Sequence, residues 1–510
     1  MIRKITLLFL LFNAYAYADI IYVNKNISGG NNDGSSWSNA YTELQDALSA
    51  ATSADQIWIA SGTYRPDWNG TSYTMDTSAK FIIHLSNLKL YGGFRGFETS
   101  LYERDITGSE TILSGDLAGD DVVNFPTFNN VSDNSLMLLD IQSFGFILDG
   151  VTISGANGGL NSSAVLNASS NSQFINCRAL NNQGESIFNI DGSSVFLGCL
   201  IYNNYNSALG TIHTNNIGMR IVNTNVVYNH GQDVGGVFDD SVNVLGSVIA
   251  SSIFWGNTAN SSTYNTEQQN YLSANVAPDA IVAFEYNIVE SFSGTQHQMT
   301  STTNLSSNPL FSDISNHDYT LPVSSPAIDG GDNSIATTDF DLFGNVRVDN
   351  NTVDIGCFEL KQSSSNRYYV NKNVSGGAND GSSWSNAFEE LQDALSAVSN
   401  DDEIWVASGN YRPDWNGTVY TNNRSDQFII TEHRLKIYGG FDGNETALSQ
   451  RNWNLNKTQL IGDLANDDVI TFPNFNNTTD NTMRLLGISG NHVIFDGFEM
   501  HGADGIADNK

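Results

Sequence analysis

Basic side chains and cysteines are both scarce in this chain of 510 residues. Lys and Arg total 22 against 55 Asp and Glu, which gives a net charge of −33. A surface this acidic repels the phosphates of nucleic acid and of anionic lipid, so we expect no nucleic-acid partner. The three cysteines, at positions 177, 199 and 357, are too few for a disulfide framework. Stability must therefore come from burial and backbone pairing.

Long apolar runs are also missing, and no segment is long enough to span a bilayer. The N-terminus has a basic start at Arg3 and Lys4, a short apolar run from Ile5 to Phe12, and the small-x-small sequence Ala16-Tyr-Ala18. This order is typical of a secretory signal with cleavage after Ala18. We therefore expect a chain that is secreted or held at the outer cell surface, without a membrane span.

The chain repeats its own beginning. The sequence DGSSWSNA at Asp33 to Ala40 recurs at Asp380 to Ala387, an offset of 347 residues. From Tyr22 to Thr71, 39 of 50 positions are identical to their counterparts at this offset. Even the loops keep their length, although loops normally diverge first. The chain is therefore a tandem array of one module.

Between the two copies, short β-rich runs alternate with Asn, Gly and Ser turns. Five runs resemble one another and begin at spacings of 27, 22, 26 and 27 residues: Gly150 to Ser154, Cys177 to Asn181, Cys199 to Asn203, Asn225 to Asn229 and Ser252 to Gly256. A period in the twenties with β-branched residues and Asn-rich corners predicts a β-solenoid of stacked parallel coils. Asn tolerates the left-handed backbone of such corners, and we interpret four asparagines in this way, with sugar contact as the alternative: Asn181, Asn182, Asn203 and Asn204.

Each solenoid has an open end that must be covered. The strand at Ile20 to Val23, the helix from Thr42 to Ala50 and the strand at Gln56 to Ala60 form a small α/β unit that can cap the first coil. We expect Trp37 to wedge under this helix. The DGSSWSNA sequence recurs, in this interpretation, because each solenoid needs its own cap.

The head and tail of the first module resemble a known family. The tail segments Asn308 to Phe311, Ser325 to Asp332 and Val353 to Glu359, with the head segment Ile57 to Tyr64, are similar to secreted bacterial right-handed parallel β-helix proteins. These form the pectin-lyase-like group and include surface proteins of the Bacteroidetes type. The resemblance implies an all-β, right-handed parallel β-helix with a short N-terminal α/β cap, followed by a second, incomplete copy. It leaves the activity open, because this fold carries lyases, hydrolases, adhesins and plain surface proteins.

The expected organisation has seven parts. They are a signal peptide (1–18), the cap of module 1 (19–80), its coils (81–305), its closing unit (306–360), a linker (361–367), the cap of module 2 (368–427) and the start of a second β-helix (428–510). The second copy has no closing unit, which favours a truncated module.

Catalytic candidates are few. By the resemblance, a lyase would need calcium-binding carboxylates and a basic residue, and the coils from 150 to 304 contain only Arg178 and Arg220. A hydrolase would need paired carboxylates, for which Asp239 and Asp240 are the candidates. Adjacent strand residues point to opposite faces, which favours a solvated turn over a catalytic pair.

Calcium has better support, because three acidic loops cluster hard oxygen ligands. Their carboxylates are Asp116, Asp120 and Asp121, the copies Asp463, Asp467 and Asp468, and the pair Asp339 and Asp341. The alternative is that these aspartates only form turns.

Two further groups repeat from coil to coil. Cys177 and Cys199 occupy equivalent places, and a buried stack is favoured over a disulfide. Tyr202, Tyr228 and Trp255 also recur, and the alternation along their strands favours inward, core positions over an outward ladder for sugar rings.

These features predict a secreted or cell-surface modular β-helix protein with a binding or structural role toward polysaccharide, without catalysis. A polysaccharide lyase or glycoside hydrolase of the same fold is the first alternative, and an adhesin for cells or matrix is the second. Calcium is the only cofactor we expect.

Overall fold

The computed structural model describes residues 18–160, 162–167, 171–190, 192–214, 218–240, 247–273, 283–293, 302–349, 352–361, 365–432, 434–471, 474–490 and 493–504. The predicted signal peptide, apart from residue 18, and residues 362–364 of the predicted linker lie outside this part of the chain. The chain forms two compact units, 1–361 and 362–510. None of the described helices is long and apolar enough to cross a membrane.

Unit 1 is a right-handed parallel β-helix built from three long sheets. Sheet A contains, in order, Ile20–Val23, Gln56–Ala60, Lys89–Phe94, Ile147–Asp149, Ser172–Ile175, Ser194–Leu197, Arg220–Val222, Val248–Ala250 and Ala283–Glu285. Sheet B contains Gly62–Tyr64, Thr111–Ser114, Val151–Ser154, Arg178–Leu180, Leu200–Tyr202, Asn225–Val227, Ile253–Trp255 and Ile288–Val289. Sheet C contains Phe81–Ile83, Leu139–Ile141, Val165–Asn167, Phe188–Ile190, Ile212–Thr214, Val237–Asp239 and Tyr271–Ser273.

Shorter elements complete unit 1. A four-stranded parallel sheet, which we call the corner ribbon, lies between sheets B and C in each coil and contains Gln183–Gly184, Tyr205–Asn206, His230–Gly231 and Thr258–Ala259. A hairpin pairs Val122–Asn124 with Thr127–Asn129. The α-helices are Leu44–Ala50 and Thr266–Asn270, and the 3₁₀ turns are Trp37–Asn39, Leu101–Glu103, Val131–Asp133 and Ile314–Asn316.

The interior of unit 1 follows from the two-residue period of the strands. Central residues such as Phe174 and Phe196 point inward, and their rings stack at 5.0 Å between centroids. Cys177 and Cys199 stack in the same core, and both are buried free thiols, as predicted. One continuous apolar core therefore runs through the coils.

The predicted asparagine corners are confirmed and form a buried ladder. Asn182 donates its amide to the Oδ1 of Asn204 at 3.0 Å, Asn204 donates to Asn229 at 3.0 Å, and Asn229 donates to Asn257 at 3.0 Å. Each of these side chains is at most 1% exposed. Asn181 and Asn203, just before the ladder, have the left-handed φ values of 57° and 53° that the corner requires. The coils are therefore joined by side-chain amides as well as by the sheets.

The inward placement predicted for the three aromatic residues is wrong. The paired strands place Val227 between Tyr202 and Trp255 in register, so Tyr228 lies one residue further on, in the left-handed corner position. Tyr202 and Trp255 point away from the core of the coils. The inward residues of these strands are Ile201, Val226 and Phe254, each one position before the row of Tyr202, Val227 and Trp255. The alternation therefore holds, but the prediction assigned it to the wrong face.

The cap is partly as expected. Leu44, Ala47 and Leu48 of the first helix are buried on the core of the coils. Trp37 does not lie beneath this helix. It packs on the outer face of sheet A, 4.8 Å from the ring of Tyr22, and its indole donates to the carbonyl of Glu98 at 2.8 Å. The DGSSWSNA loop therefore covers the side of the first coils, while the helix covers their end.

Residues 306–360, which we call the closing segment, cover the outer face of sheet B. Leu200, Val227 and Ile253 of that sheet pack against Phe311, Tyr319, Leu321, Leu342 and Ile355. Deep within this contact the Arg347 side chain, 1% exposed, donates to the carbonyls of Gly356 and Cys357. A second apolar core thus lies outside the coils.

Unit 2 repeats the start of this architecture. Its first sheet contains Arg367–Val370, Glu403–Ala407, Lys436–Phe441 and Ile494–Asp496. Its second contains Gly409–Tyr411, Thr458–Ile461 and Phe498–His501, and its third pairs Phe428–Ile430 with Leu486–Ile488. Its hairpin pairs Val469–Thr471 with Asn474–Asn476, its α-helix is Leu391–Ala397, and its 3₁₀ turns are Trp384–Asn386, Leu448–Gln450 and Thr478–Asp480. Trp384 donates to the carbonyl of Glu445 at 2.9 Å, which reproduces the contact of Trp37.

Candidate functional site

A cleft lies between the hairpin and the closing segment of unit 1. Its volume is 420 Å³, and it is lined by Val123, Asn124, Phe125, Leu180, Asn181, Asn203 and His317. The floor is the end of sheet B and its Asn corner, because Leu180 and Asn181 come from one coil and Asn203 from the next. The volume is in the range of small-ligand sites in proteins.

The walls of the cleft combine aromatic rings with amides. The Asn203 amide nitrogen lies 3.2 Å from Nε2 and 3.3 Å from Nδ1 of His317, so the amide rests against the imidazole ring. His317 in turn packs on Tyr202 at 5.6 Å between centroids. Phe125, in the opposite wall, packs edge-on against Phe128 at 6.1 Å. Rings beside amide donors and acceptors are suited to ligands with both apolar and hydroxyl-bearing faces.

The corner ribbon continues this surface along the coils. Immediately after the four asparagines of the buried ladder, Gln183, Tyr205, His230 and Thr258 stand opposite one another on successive strands. The rings of Tyr205 and His230 are 5.7 Å apart. His230 Nδ1 is 2.8 Å from the Thr258 hydroxyl, and its Nε2 is 3.0 Å from Oδ1 of Asn260. These contacts hold Tyr205, His230 and Thr258 in a regular row at the surface, which the half-buried Gln183 extends by one coil.

The structure does not bring the predicted catalytic residues together. Asp239 is 1% exposed and lies on the inner side of sheet C, where it accepts a hydrogen bond from Tyr271 at 3.2 Å. Asp240 follows it outside the strand, and its N–H donates to the Thr214 carbonyl. Asp239 is thus buried at the end of its strand, whereas Asp240 is only partly buried and lies beyond it.

The two basic candidates belong to different sheets. Arg178 lies in sheet B and pairs with Glu110 at 3.3 Å. Arg220 lies in sheet A, whereas the floor of the cleft belongs to the end of sheet B. No arginine from the coils therefore joins Asp239 or Asp240 in one site among the described residues.

Two of the three predicted acidic loops gather carboxylates, although Asp121 is not in the cluster of unit 1. In unit 1, ligand oxygens of Asp116, Asp120 and Asp133 lie within 4.8 Å of one another; in unit 2, those of Asp463, Asp467 and Asp468 do the same. The sequence prediction omitted Asp133, which lies outside the short loop, and its copy Asp480 is not in the cluster of unit 2. A signal for Asp133 was available, since the two aspartates stand at the same offset in the two modules.

Asp121 is destabilised as a carboxylate by the other negative charges of this loop. Its Oδ2 accepts a hydrogen bond from Asn134, whereas its buried Oδ1 has no partner among the described residues. Burial, together with the charges of Asp116, Asp133 and Asp120, raises the pKa of Asp121 to about 6. A bound cation would relieve this repulsion, and calcium in these loops stays a prediction.

The third predicted calcium loop has a different role. Both oxygens of Asp341 are engaged by N–H donors: Oδ1 accepts from Phe343 and Asn345, and Oδ2 accepts from the Asn345 amide and from Glu359. Asp341 is buried, while Asp339 is exposed. This arrangement favours the turn-forming alternative for Asp341.

Sequence reasoning also missed the cleft itself. His317 and Phe125 are not among the predicted site residues. The segment Val122 to Asn129 recurs at Val469 to Asn476, but a repeat alone does not mark Phe125 as a ligand contact, and His317 lies outside the repeated positions. Only the folding of the hairpin and the closing segment onto the same coils brings them near Asn181 and Asn203.

No protein-family model matches the chain, and no curated protein matches it either. Among solved structures, the chain is similar to a pectate lyase, with 15% identity, 68% of this chain and 97% of the other covered, and a TM-score of 0.37. A rhamnogalacturonan lyase gives 11% identity, coverage of 66% and 96%, and a TM-score of 0.30. A pectin methylesterase from Aspergillus niger gives 16% identity, coverage of 56% and 95%, and a TM-score of 0.26. At these levels of similarity, the comparisons assign no activity and no ligand to this chain.

Proposed function

We propose that this chain is a secreted or cell-surface β-helix protein that binds polysaccharide in the cleft of unit 1 and does not cleave it. The observation that carries the proposal is the cleft, where Asn181, Asn203 and Asn124 present amides beside the rings of Phe125 and His317. Sugars offer hydroxyls in the plane of the ring and apolar C–H groups on its faces, so amides and aromatic rings are matched to both.

The cleft is also placed for a long ligand. Its floor belongs to two successive coils, and the corner ribbon extends from the same two coils to Thr258. A polymer that enters the cleft can follow the axis of the coils over this ribbon. A small metabolite would be too short to contact this extended row of side chains.

The enzymatic alternative requires an acid, a base or a metal at the ligand. The residues best suited to those roles are engaged elsewhere, since Asp239 lies inside the coils beside Tyr271 and Arg178 is paired with Glu110. This arrangement favours binding without cleavage. Export rests on the N-terminal signal pattern of the sequence.

The test is affinity electrophoresis of the exported chain through gels that contain a panel of neutral and acidic polysaccharides. We expect at least one polymer to retard the protein, and we expect Asn203→Gly to weaken the retardation. Glycine keeps the left-handed corner at residue 203 and removes the amide that lines the cleft, together with its contact to His317. Asn171→Gly is the matched control, because Asn171 is an exposed left-handed asparagine (φ 60°) at a different corner.

Two results would contradict the proposal. One is the absence of retardation in every gel, or retardation that Asn203→Gly leaves unchanged. The other is the release of unsaturated sugars or new reducing ends, abolished by Arg178→Ala, which would establish the enzymatic alternative.

A further inference from the structure

Given the proposed function, on which this inference rests, we infer that the cleft and the corner ribbon accept an uncharged polysaccharide and reject polyuronates. The first ground is the chemistry of the surface. The cleft is lined by apolar side chains, three asparagines and one histidine, and none of its lining residues is Lys, Arg, Asp or Glu. The ribbon adds Gln183, Tyr205, His230 and Thr258. These groups hydrogen-bond hydroxyls but include no lysine or arginine to pair with carboxylates.

The second ground is the supply of positive charge. Between residues 150 and 304 the sequence contains two basic side chains, Arg178 and Arg220. Arg178 is neutralised by Glu110, and Arg220 belongs to sheet A. In the closing segment, Arg347 is 1% exposed and donates to backbone carbonyls. A polymer with one carboxylate per sugar would therefore meet no available cation here, on a chain whose net charge is −33.

The third ground is the spacing of the ribbon. Neighbouring strands are about 4.8 Å apart, which is close to the length of one pyranose unit along an extended glycan. Gln183, Tyr205, His230 and Thr258 are in register on four successive strands, so each coil offers one side chain per sugar. Behind this row, Asn260 lies 3.0 Å from His230 and 3.4 Å from Gln232, which adds further uncharged hydrogen-bonding groups. The ribbon thus matches an extended chain of neutral sugars.

The experiment compares neutral polymers (xylan, mannan, galactan and mixed-linkage glucan) with polygalacturonate and alginate, each with and without added calcium. We expect retardation by at least one neutral polymer, little change between low and high salt because the ligand carries no charge, and no retardation by the uronates. Tyr205→Ala and Gln183→Ala should each weaken binding of the neutral polymer about fivefold or more, the effect of one lost hydrogen bond or ring contact. Tyr102→Ala, which removes a 61% exposed tyrosine beside the cap, should leave binding unchanged. Circular dichroism and thermal melts of each variant verify the fold.

The outcomes separate the two proposals. If no polymer retards the chain, the proposed function fails. If only uronates bind, or uronates bind in calcium while neutral polymers do not, the inference fails and the proposed function stands. If a neutral polymer binds but both ribbon variants match wild type, the ribbon is not the binding surface, and the inference is overturned.

Discussion

The ring of Tyr202 packs edge-on against the ring of Tyr319, with 5.1 Å between their centroids and 64° between their planes. Tyr202 lies on the outer face of sheet B, and Tyr319 lies in the closing segment. Tyr319 also stacks on Tyr228 at 5.6 Å and meets Phe311 at 5.3 Å. These contacts join the closing segment to the coils and hold His317 in the wall of the cleft.

The first prediction concerns this contact. Tyr319→Ala should lower the free energy of unfolding of unit 1 by about 3–5 kcal/mol, because it removes a ring that is 1% exposed. The measurement is chemical denaturation of the whole chain. Tyr319→Phe is the control: the buried hydroxyl has no partner among the described residues, so its removal should be neutral or stabilising. A Tyr319→Phe variant as unstable as Tyr319→Ala would contradict this account.

The second prediction concerns the asparagine ladder. Asn204→Ala removes the acceptor of the buried backbone N–H of Asn182 and the side-chain donor to the Ala179 carbonyl, so that both groups lose these partners. We expect a loss of about 3 kcal/mol in the free energy of unfolding, since each unsatisfied buried group costs about 1–3 kcal/mol. Asn129→Ala, at an exposed position of the hairpin, should stay within about 0.5 kcal/mol of wild type. Equal effects of the two substitutions would refute a structural role for the ladder.

The third prediction is a pH dependence of the closing segment. Burial and the neighbouring charge of Asp354 raise the pKa of Glu359 from 4.5 to about 9, and burial raises the pKa of Asp354 to about 6. At a pH between the unfolded and the folded pKa, the folded state holds a proton that the unfolded state has lost. The stability from these groups is therefore complete below their unfolded pKa values and decreases as pH rises toward 9.

Glu359→Gln removes the main titration and should flatten this profile. One such group changes the free energy of unfolding by at most about 1.4 kcal/mol for each pH unit. Denaturation midpoints measured from pH 5 to 9 should fall less steeply in Glu359→Gln than in wild type. Parallel profiles for the two proteins would show that Glu359 is already ionised when folded.

The fourth prediction concerns calcium. If the acidic loops bind it, added calcium should raise the melting temperature and a chelator should lower it, because a ligand that binds only the folded state stabilises it. The double variant Asp120→Asn/Asp467→Asn should lose this response, because it removes one carboxylate ligand from each cluster. Both side chains are exposed, so the fold should be unaffected. Asp233→Asn, a carboxylate outside both clusters, should keep it. A calcium response that survives the double variant would place the ion elsewhere.

Features that repeat from one coil to the next were predictable from the sequence. The five β-rich runs all fall on strands of sheet B, and the predicted strand at Gln56 to Ala60 matches the observed strand Gln56–Ala60. Asn182 and Asn204 could be recognised because the ladder needs the same residue at the same corner of each coil. For the candidate site, the sequence indicated the acidic loops but omitted Asp133, and it missed the cleft.

By itself, the sequence determined the tandem modules, the stacked parallel coils, the helix of the cap and the amide ladder, because each depends on a local period or an exact repeat. Only the tertiary structure decided that Trp37 covers the side of sheet A, that Tyr202 faces outward, and that the closing segment lies on sheet B beside the hairpin. These outcomes depend on side chains far apart in the chain, and turns of unequal length shift the register from coil to coil. No periodic pattern records such contacts, and the cleft between Asn203 and His317 is one of them.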